Sequence, residues 1–394
     1  MHDSGAKPRY FSVTDRIGRL PELDGLRGIA ILLVLFRHTV RPIIEQHGSL
    51  LRVGSWDLAT PLLNGWMGVD LFFVLSGFLI THHLLNRWPA RFNRTFMLRY
   101  WIKRLLRTIP AYVAAVLIAL SSVIPFFEVN AESTSHTLAI HLLFLQDYFG
   151  SDLVAAFWSL GVEEKFYLLC PLVLFYVSRL TPRRKLIALT VLALLPTLLR
   201  VATLAGSHAQ YLNYPAFFWT IRSPFHLAMD GLWIGVICAV IYANKELRES
   251  IRVLNVRRIA NISLAVLIVS ISSVAWFDGG WYYASTIVLA VIALAFGGLL
   301  LSSILGQSWI SEALRSVWLR AMSTISYSVY LMHLMFVPLA LDLVRRFFPA
   351  FEAQAGLHFL AFTPVFLALS VAAGLALHFT VEKPFLILKD KIRL

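Results

Sequence analysis

Charge is scarce in this chain. Asp, Glu, Lys and Arg make up 14% of its 394 residues, where a soluble domain carries about 25%. An apolar fraction of 58% and a mean hydropathy of +0.71 stand in its place. Cysteine is scarcer still. Cys170 and Cys238 are the only two, both inside apolar segments. That excludes a disulfide framework and reads them as small core side chains. CxxC, HExxH and Cys/His clusters are missing, so no metal site is expected. No fixed-period repeat or low-complexity linker interrupts the chain. The first 25 residues are polar and basic, without the apolar core and small-residue cleavage site of a signal peptide. A single integral-membrane domain over 1–394 is expected, with short tails at about 1–26 and 381–394 and no fused soluble domain.

Long apolar runs are abundant, among them "AYVAAVLIALSSVI" and "STIVLAVIALAFGGLLLSSIL". A bilayer core about 30 Å thick takes roughly 20 helical residues to cross. The fold class expected is therefore all-α, a polytopic membrane bundle. Ten segments fit: 28–43, 64–85, 108–124, 156–178, 186–204, 219–243, 259–277, 281–304, 322–344 and 357–379. "HTLAIHLLFLQ" at 136–146 is too short and reads as a re-entrant or interfacial helix. On this count one set of loops and tails holds 27 of the 35 Lys and Arg, and the opposite set holds Arg41, Arg52, Arg345 and Arg346. The asymmetry places both termini in the cytoplasm. It also absorbs the net charge of +13, which in a soluble protein would suggest nucleic acid. The most basic segment, 86–107, interleaves aromatics with Arg as an amphipathic helix on anionic lipid does.

Ionisable residues inside spanning helices are costly and mark functional sites by default. His38 lies eleven residues past Arg27, about 16 Å along a helix. Glu163, Glu164 and Lys165 fall in "FWSLGVEEKFYLL", His333 in "ISYSVYLMHLMFVP", Asp230 in "FHLAMDGLWIG" and Asp70 in "GWMGVDLFFVLSGFLI". Each has a bland reading. His333 could be a core histidine bonded to a carbonyl, Asp230 a helix–helix contact, Asp70 a cap or anchor. Glu164 and Lys165 are adjacent and point along different faces rather than pairing. Arg37, next to His38, faces elsewhere. Ser76 in "LSGF" is a conceivable nucleophile, set between Leu and Gly as tight helix packing would also require.

The chemistry these residues suit is acyl transfer. A neutral imidazole in a partly desolvated site takes a proton from a hydroxyl as it attacks a carbonyl. A carboxylate such as Glu163 or Asp70 could orient the ring and stabilise the imidazolium. Arg27, at the cytoplasmic mouth, and Arg104 and Arg107, three apart in "KRLLR", suit phosphate through forked, charge-assisted hydrogen bonds. An acyl-CoA donor requires such a mouth beneath a buried base.

At these residues the chain resembles membrane acyltransferase family 3. The Arg/Lys–x10–His pattern of that family matches Arg27 and His38 in "LDGLRGIAILLVLFRH". Its second-helix block matches "GWMGVDLFFVLSGFLI", its Arg–x–x–Arg with a following Pro matches "KRLLRTIPAY", and its Trp-Ser-Leu block matches "FWSLGVEEKFYLL". "SYSVYLMH" and the closing "EKP" at Glu382–Pro384 also fit. One departure is Ala228, where many members carry the Arg of an "RLD", with His226 and Arg222 upstream. The resemblance implies a bacterial inner-membrane O-acyltransferase acting on surface polysaccharide, lipopolysaccharide or a similar hydroxyl acceptor. The roles expected are His38 as general base, Glu163 and His333 lining the cavity, and Arg27, Arg104 and Arg107 holding acetyl-CoA or another acyl-CoA. The bilayer is the expected partner and nucleic acid is not. A glycolipid transporter or flippase also accommodates ten helices and buried charge, but does not call for the Arg cluster. A non-catalytic assembly subunit leaves His38 without a role.

Overall fold

Apolar composition dictates helix here, because only internal hydrogen bonding satisfies a backbone in lipid. In the computed structural model residues 20–87, 93–129, 134–206, 214–273, 282–306 and 309–392 are described. The tail cations Lys7, Arg9, Arg16 and Arg19, together with Arg91 and Arg393, lie outside them.

Helix α1 (Pro21–His47) opens on a proline at its first turn and ends at Gly48, whose left-handed φ of 75° lets its N–H close on the Ile44 carbonyl at 2.8 Å. A two-residue hairpin, Arg52–Val53 with Trp56–Asp57, and a short helix, Ala59–Leu63, lead into α2 (Met67–Leu85). Helix α3 (Arg94–Leu120) is capped by Asn93, whose side chain accepts from the Phe96 N–H. The basic half of 86–107 is thus the first half of a long helix continuous with the apolar stretch after it, not a separate surface helix.

The stretch at 136–146 forms α4 (Thr134–Leu142). At nine residues it spans about 13 Å, too little to cross. Next come α5 (Trp158–Ser178), α6 (Pro182–Gly206), α7 (Asp230–Ala243), α8 (Val256–Ser273), α9 (Tyr282–Leu305) and α10 (Val317–Met332). The chain closes with α11 (Val337–Phe347), α12 (Ala355–Leu377) and α13 (Lys383–Lys391). Six of the described helical runs are long and apolar enough to cross a membrane: Ala59–Leu85, Pro182–Gly206, Val256–Ser273, Thr286–Leu305, Val317–Phe347 and Ala355–Lys391. The molecule is an all-α membrane protein.

Two segments expected as unbroken helices are interrupted. In 219–243 a π-turn (Phe218–Arg222) and Pro224 precede α7. In 322–344 a 3-10 turn (His333–Phe336) separates α10 from α11. Pro338 supplies the reason for the second, since it has no N–H for the carbonyl four residues back. A π-turn (His378–Glu382) likewise precedes Pro384.

Helix α1 packs on α2, α10 and α12, and α2 packs along α7. The α2–α7 approach depends on glycine. A Cβ on Gly77 would strike the Leu232 carbonyl, and one on Gly235 would strike the Val74 carbonyl.

Candidate active site

Eleven residues of α-helix turn through three revolutions and about 20° more, so Arg27 and His38 share one face of α1. Both are half-buried, whereas Ala30, Ile31, Val34 and Leu35 between them are packed into the core. Arg37 points away. Its guanidinium is buried and donates to the Leu63 carbonyl.

At the first end of this face three helices meet. Arg27 is close enough to Arg107 on α3, and to Glu163 and Tyr167 on α5, to feel their charges, as it feels that of Asp24 one turn before it. Arg104 lies over the Tyr100 and Tyr167 rings at 5.6 and 5.9 Å. Glu163 accepts a 2.6 Å hydrogen bond from Ser76 on α2 and a 3.1 Å bond from the Tyr167 hydroxyl. Arg27 and Arg107 enter no ion pair or hydrogen bond with a described residue. Two guanidiniums within electrostatic reach of each other, with the Glu163 carboxylate near but bonded to Ser76 and Tyr167, repel each other and favour a further anion between them.

At the other end the His38 and His333 rings approach with centroids 5.1 Å apart, tilted by 54°. The helix break places His333 so that its Nδ1 meets the Tyr330 carbonyl at 2.8 Å. That carbonyl can only accept, so Nδ1 carries the hydrogen and Nε2 is the basic nitrogen. His333 is fully buried, and its Nε2 has no hydrogen-bond partner among the described residues. The Tyr330 hydroxyl is anchored by the Ala156 carbonyl at 2.9 Å and by Ser159 at 2.8 Å. Phe72 packs edge-on against Tyr330 at 6.1 Å. It lies one turn from Ser76 on α2 and so links the two ends.

The six expected site residues therefore fall into two groups, Arg27, Arg104, Arg107 and Glu163 in one, His38 and His333 in the other. The two carboxylates considered for orienting His38 are engaged elsewhere. Glu163 is held by Ser76 and Tyr167. Asp70 takes both its oxygens to Arg222, at 2.8 and 2.9 Å, and Arg222 in turn lies 4.9 Å over the Trp158 ring. Asp230 pairs with Arg200 at 2.7 Å. Lys165 bonds to Asp147 at 2.5 Å and to two carbonyls, while Glu164 is buried beside Thr108. Arg200, Tyr167, Tyr330 and Ser159 were not anticipated. Arg200 alone had a signal, as a cation in the middle of an apolar run. Among the described residues no three His, Cys, Asp or Glu gather as metal ligands do.

The family model described as "Acyltransferase domain" matches residues 20–378. O-acetyltransferase OatA of Staphylococcus aureus strain NCTC 8325 is 26% identical over 337 residues, covering 80% of this chain and 50% of that protein. A "Putative O-acetyltransferase" of S. aureus strain COL is 25% identical over 354 residues, covering 83% of this chain and 52% of that protein. The chain spans about half the length of these curated relatives. No solved structure matches it.

Proposed function

The chain belongs to the membrane acyltransferase family, and on that premise we propose that it moves an acetyl or other short acyl group from acyl-CoA to a hydroxyl of a cell-envelope or secreted glycan, with His38 as the general base. It does so as one membrane domain of ten spans in a bacterial inner membrane, both ends in the cytoplasm. The observation that carries the donor assignment is the couple Arg27 and Arg107, which form no ion pair among the described residues. Inside the bundle Arg200 and Arg222 each form an ion pair with an aspartate, whereas among the described residues Arg27 and Arg107 form none and have Glu163 in common within electrostatic reach. A diphosphate supplies the missing charge, and Arg104 adds a third cation beside it. The acyl end of the donor then reaches toward Ser76, Glu163 and the imidazole pair. His38 takes the acceptor's proton as the hydroxyl attacks, and His333 stands next to the imidazolium that forms. The relatives' printed names favour acetyl as the acyl group.

Donor binding tests this. Arg27→Gln and Arg107→Gln each remove a charge-assisted contact worth about 1.5–3 kcal/mol. Acetyl-CoA affinity, measured calorimetrically in nanodiscs, falls by roughly 10- to 100-fold in each. Unchanged affinity in both would remove the donor from this place.

A further inference from the structure

Ser76 is bonded to Glu163 in the cationic half of the site and lies one turn along α2 from Phe72, which packs on Tyr330 beside His333. Small residues along a membrane helix ordinarily serve close packing, and "LSGF" invites that reading. The structure separates the two roles. Gly77 makes the close approach to Leu232 on α7, while Ser76, about 100° around the helix, turns to α5. There its hydroxyl donates to Glu163 Oε1 at 2.6 Å, the short distance of a bond to a carboxylate. The other Glu163 oxygen is held by Tyr167, and Arg27 and Arg107 are in electrostatic reach of that carboxylate. Ser76 is half-buried, not sealed. A hydroxyl aligned on a base that is itself oriented by a third group is the arrangement of an activated nucleophile.

We propose that Ser76 is a transient acyl carrier, which receives the acyl group from the thioester and passes it to the acceptor. This rests on the donor reading above. In the first half, Glu163 takes the Ser76 proton as Oγ attacks the thioester carbonyl carbon. The C–S bond breaks, and CoA leaves as a thiolate that takes its proton from water in the cytoplasm. An ester on Ser76 and a protonated Glu163 remain. In the second half the acceptor hydroxyl gives its proton to His38 and attacks the ester carbonyl. The bond from the acyl carbon to Oγ breaks, Glu163 returns its proton to Oγ, and His38 later releases its own to water. The sum is acyl-CoA plus alcohol giving ester plus CoA thiol, with no oxidant or reductant. The arrangement also explains why the base and the phosphate cluster stand at opposite ends of one helix face, since donor and acceptor need not be bound together.

The test uses the full chain in nanodiscs with radiolabelled acetyl-CoA and no acceptor, quenched in acid and mapped by peptide mass. The expected result is one acetyl group on the peptide carrying Ser76, chased off by added acceptor, together with exchange of free CoA into acetyl-CoA. Ser76→Ala loses label and exchange, and its transfer rate falls by roughly 10³-fold or more. Ser76→Cys keeps the label as a thioester released by neutral hydroxylamine, which guards against an alanine variant that fails to fold. Folded Ser76→Ala transferring at the wild-type rate would overturn the proposal, as would wild-type transfer with neither label nor exchange. A wild type that neither binds acetyl-CoA nor releases thiol would instead overturn the donor reading on which the proposal stands.

Discussion

Inside an apolar bundle an arginine must be accounted for one at a time. Arg37 is spent on the Leu63 carbonyl, Arg222 on Asp70 and Arg200 on Asp230. These are structural ties, and breaking one leaves a buried charge uncompensated. Arg200→Leu is therefore expected to cost about 3–5 kcal/mol, seen as a lower melting temperature in detergent. Arg200→Leu combined with Asp230→Leu recovers much of it, because no lone charge is left behind. A double variant as unstable as the single would show that Asp230 is not the partner that matters. Arg27 and Arg107 differ in having no such tie among the described residues, and that difference makes them candidates for a ligand. The spacing of Arg27 and His38 was readable in the sequence, because a pattern of eleven residues on one helix fixes a shared face. The pairings of Asp70 and Asp230 were not. Asp70 lies 152 residues from Arg222, and nothing local in either segment names the other.

Helices carry these residues, and their interruptions set the directions. The apolar runs and the shortness of 136–146 were legible because length and hydropathy decide them. The turn at His333–Phe336 was not read, although Pro338 was in plain view, since a proline near the end of a long apolar run can kink a helix or end it with equal ease. In the proposed reaction that turn matters, because it places His333 beside His38 with its Nδ1 on the Tyr330 carbonyl. Pro338→Ala restores an N–H and favours continuous helix from α10 into α11. The expected outcome is thermal stability kept or raised, with transfer turnover lowered at least about tenfold, a change of 1.4 kcal/mol in barrier. A variant with unchanged turnover would separate the helix break from catalysis.

At the scale of the molecule, the account requires the two ends of the α1 face to open to different sides. In the proposed reaction donor phosphates enter beside Arg27 and Arg107 from the cytoplasm, and the acceptor reaches His38 from the far side. The charge asymmetry of the loops argues for this orientation. Arg184, at the start of α6, and Arg346, at the end of α11, are both exposed and fall on opposite sides in that topology. Cys170 and Cys238 are buried, so single cysteines introduced elsewhere report cleanly. In intact cells Arg346→Cys is expected to react with a membrane-impermeant thiol reagent, and Arg184→Cys only after permeabilisation. The reverse pattern would invert the topology and put the cation cluster on the wrong side for cytoplasmic acyl-CoA.

The central claim is that His38 is the base of an acyl transfer. It is tested most directly by acceptor-dependent thiol release from acetyl-CoA, with purified wild type and His38→Ala in nanodiscs and a cell-envelope glycan extract as acceptor. The expected result is a fall of roughly 10²- to 10⁴-fold in the variant, with the helical spectrum and acetyl-CoA binding retained. Equal rates in the two proteins would contradict it.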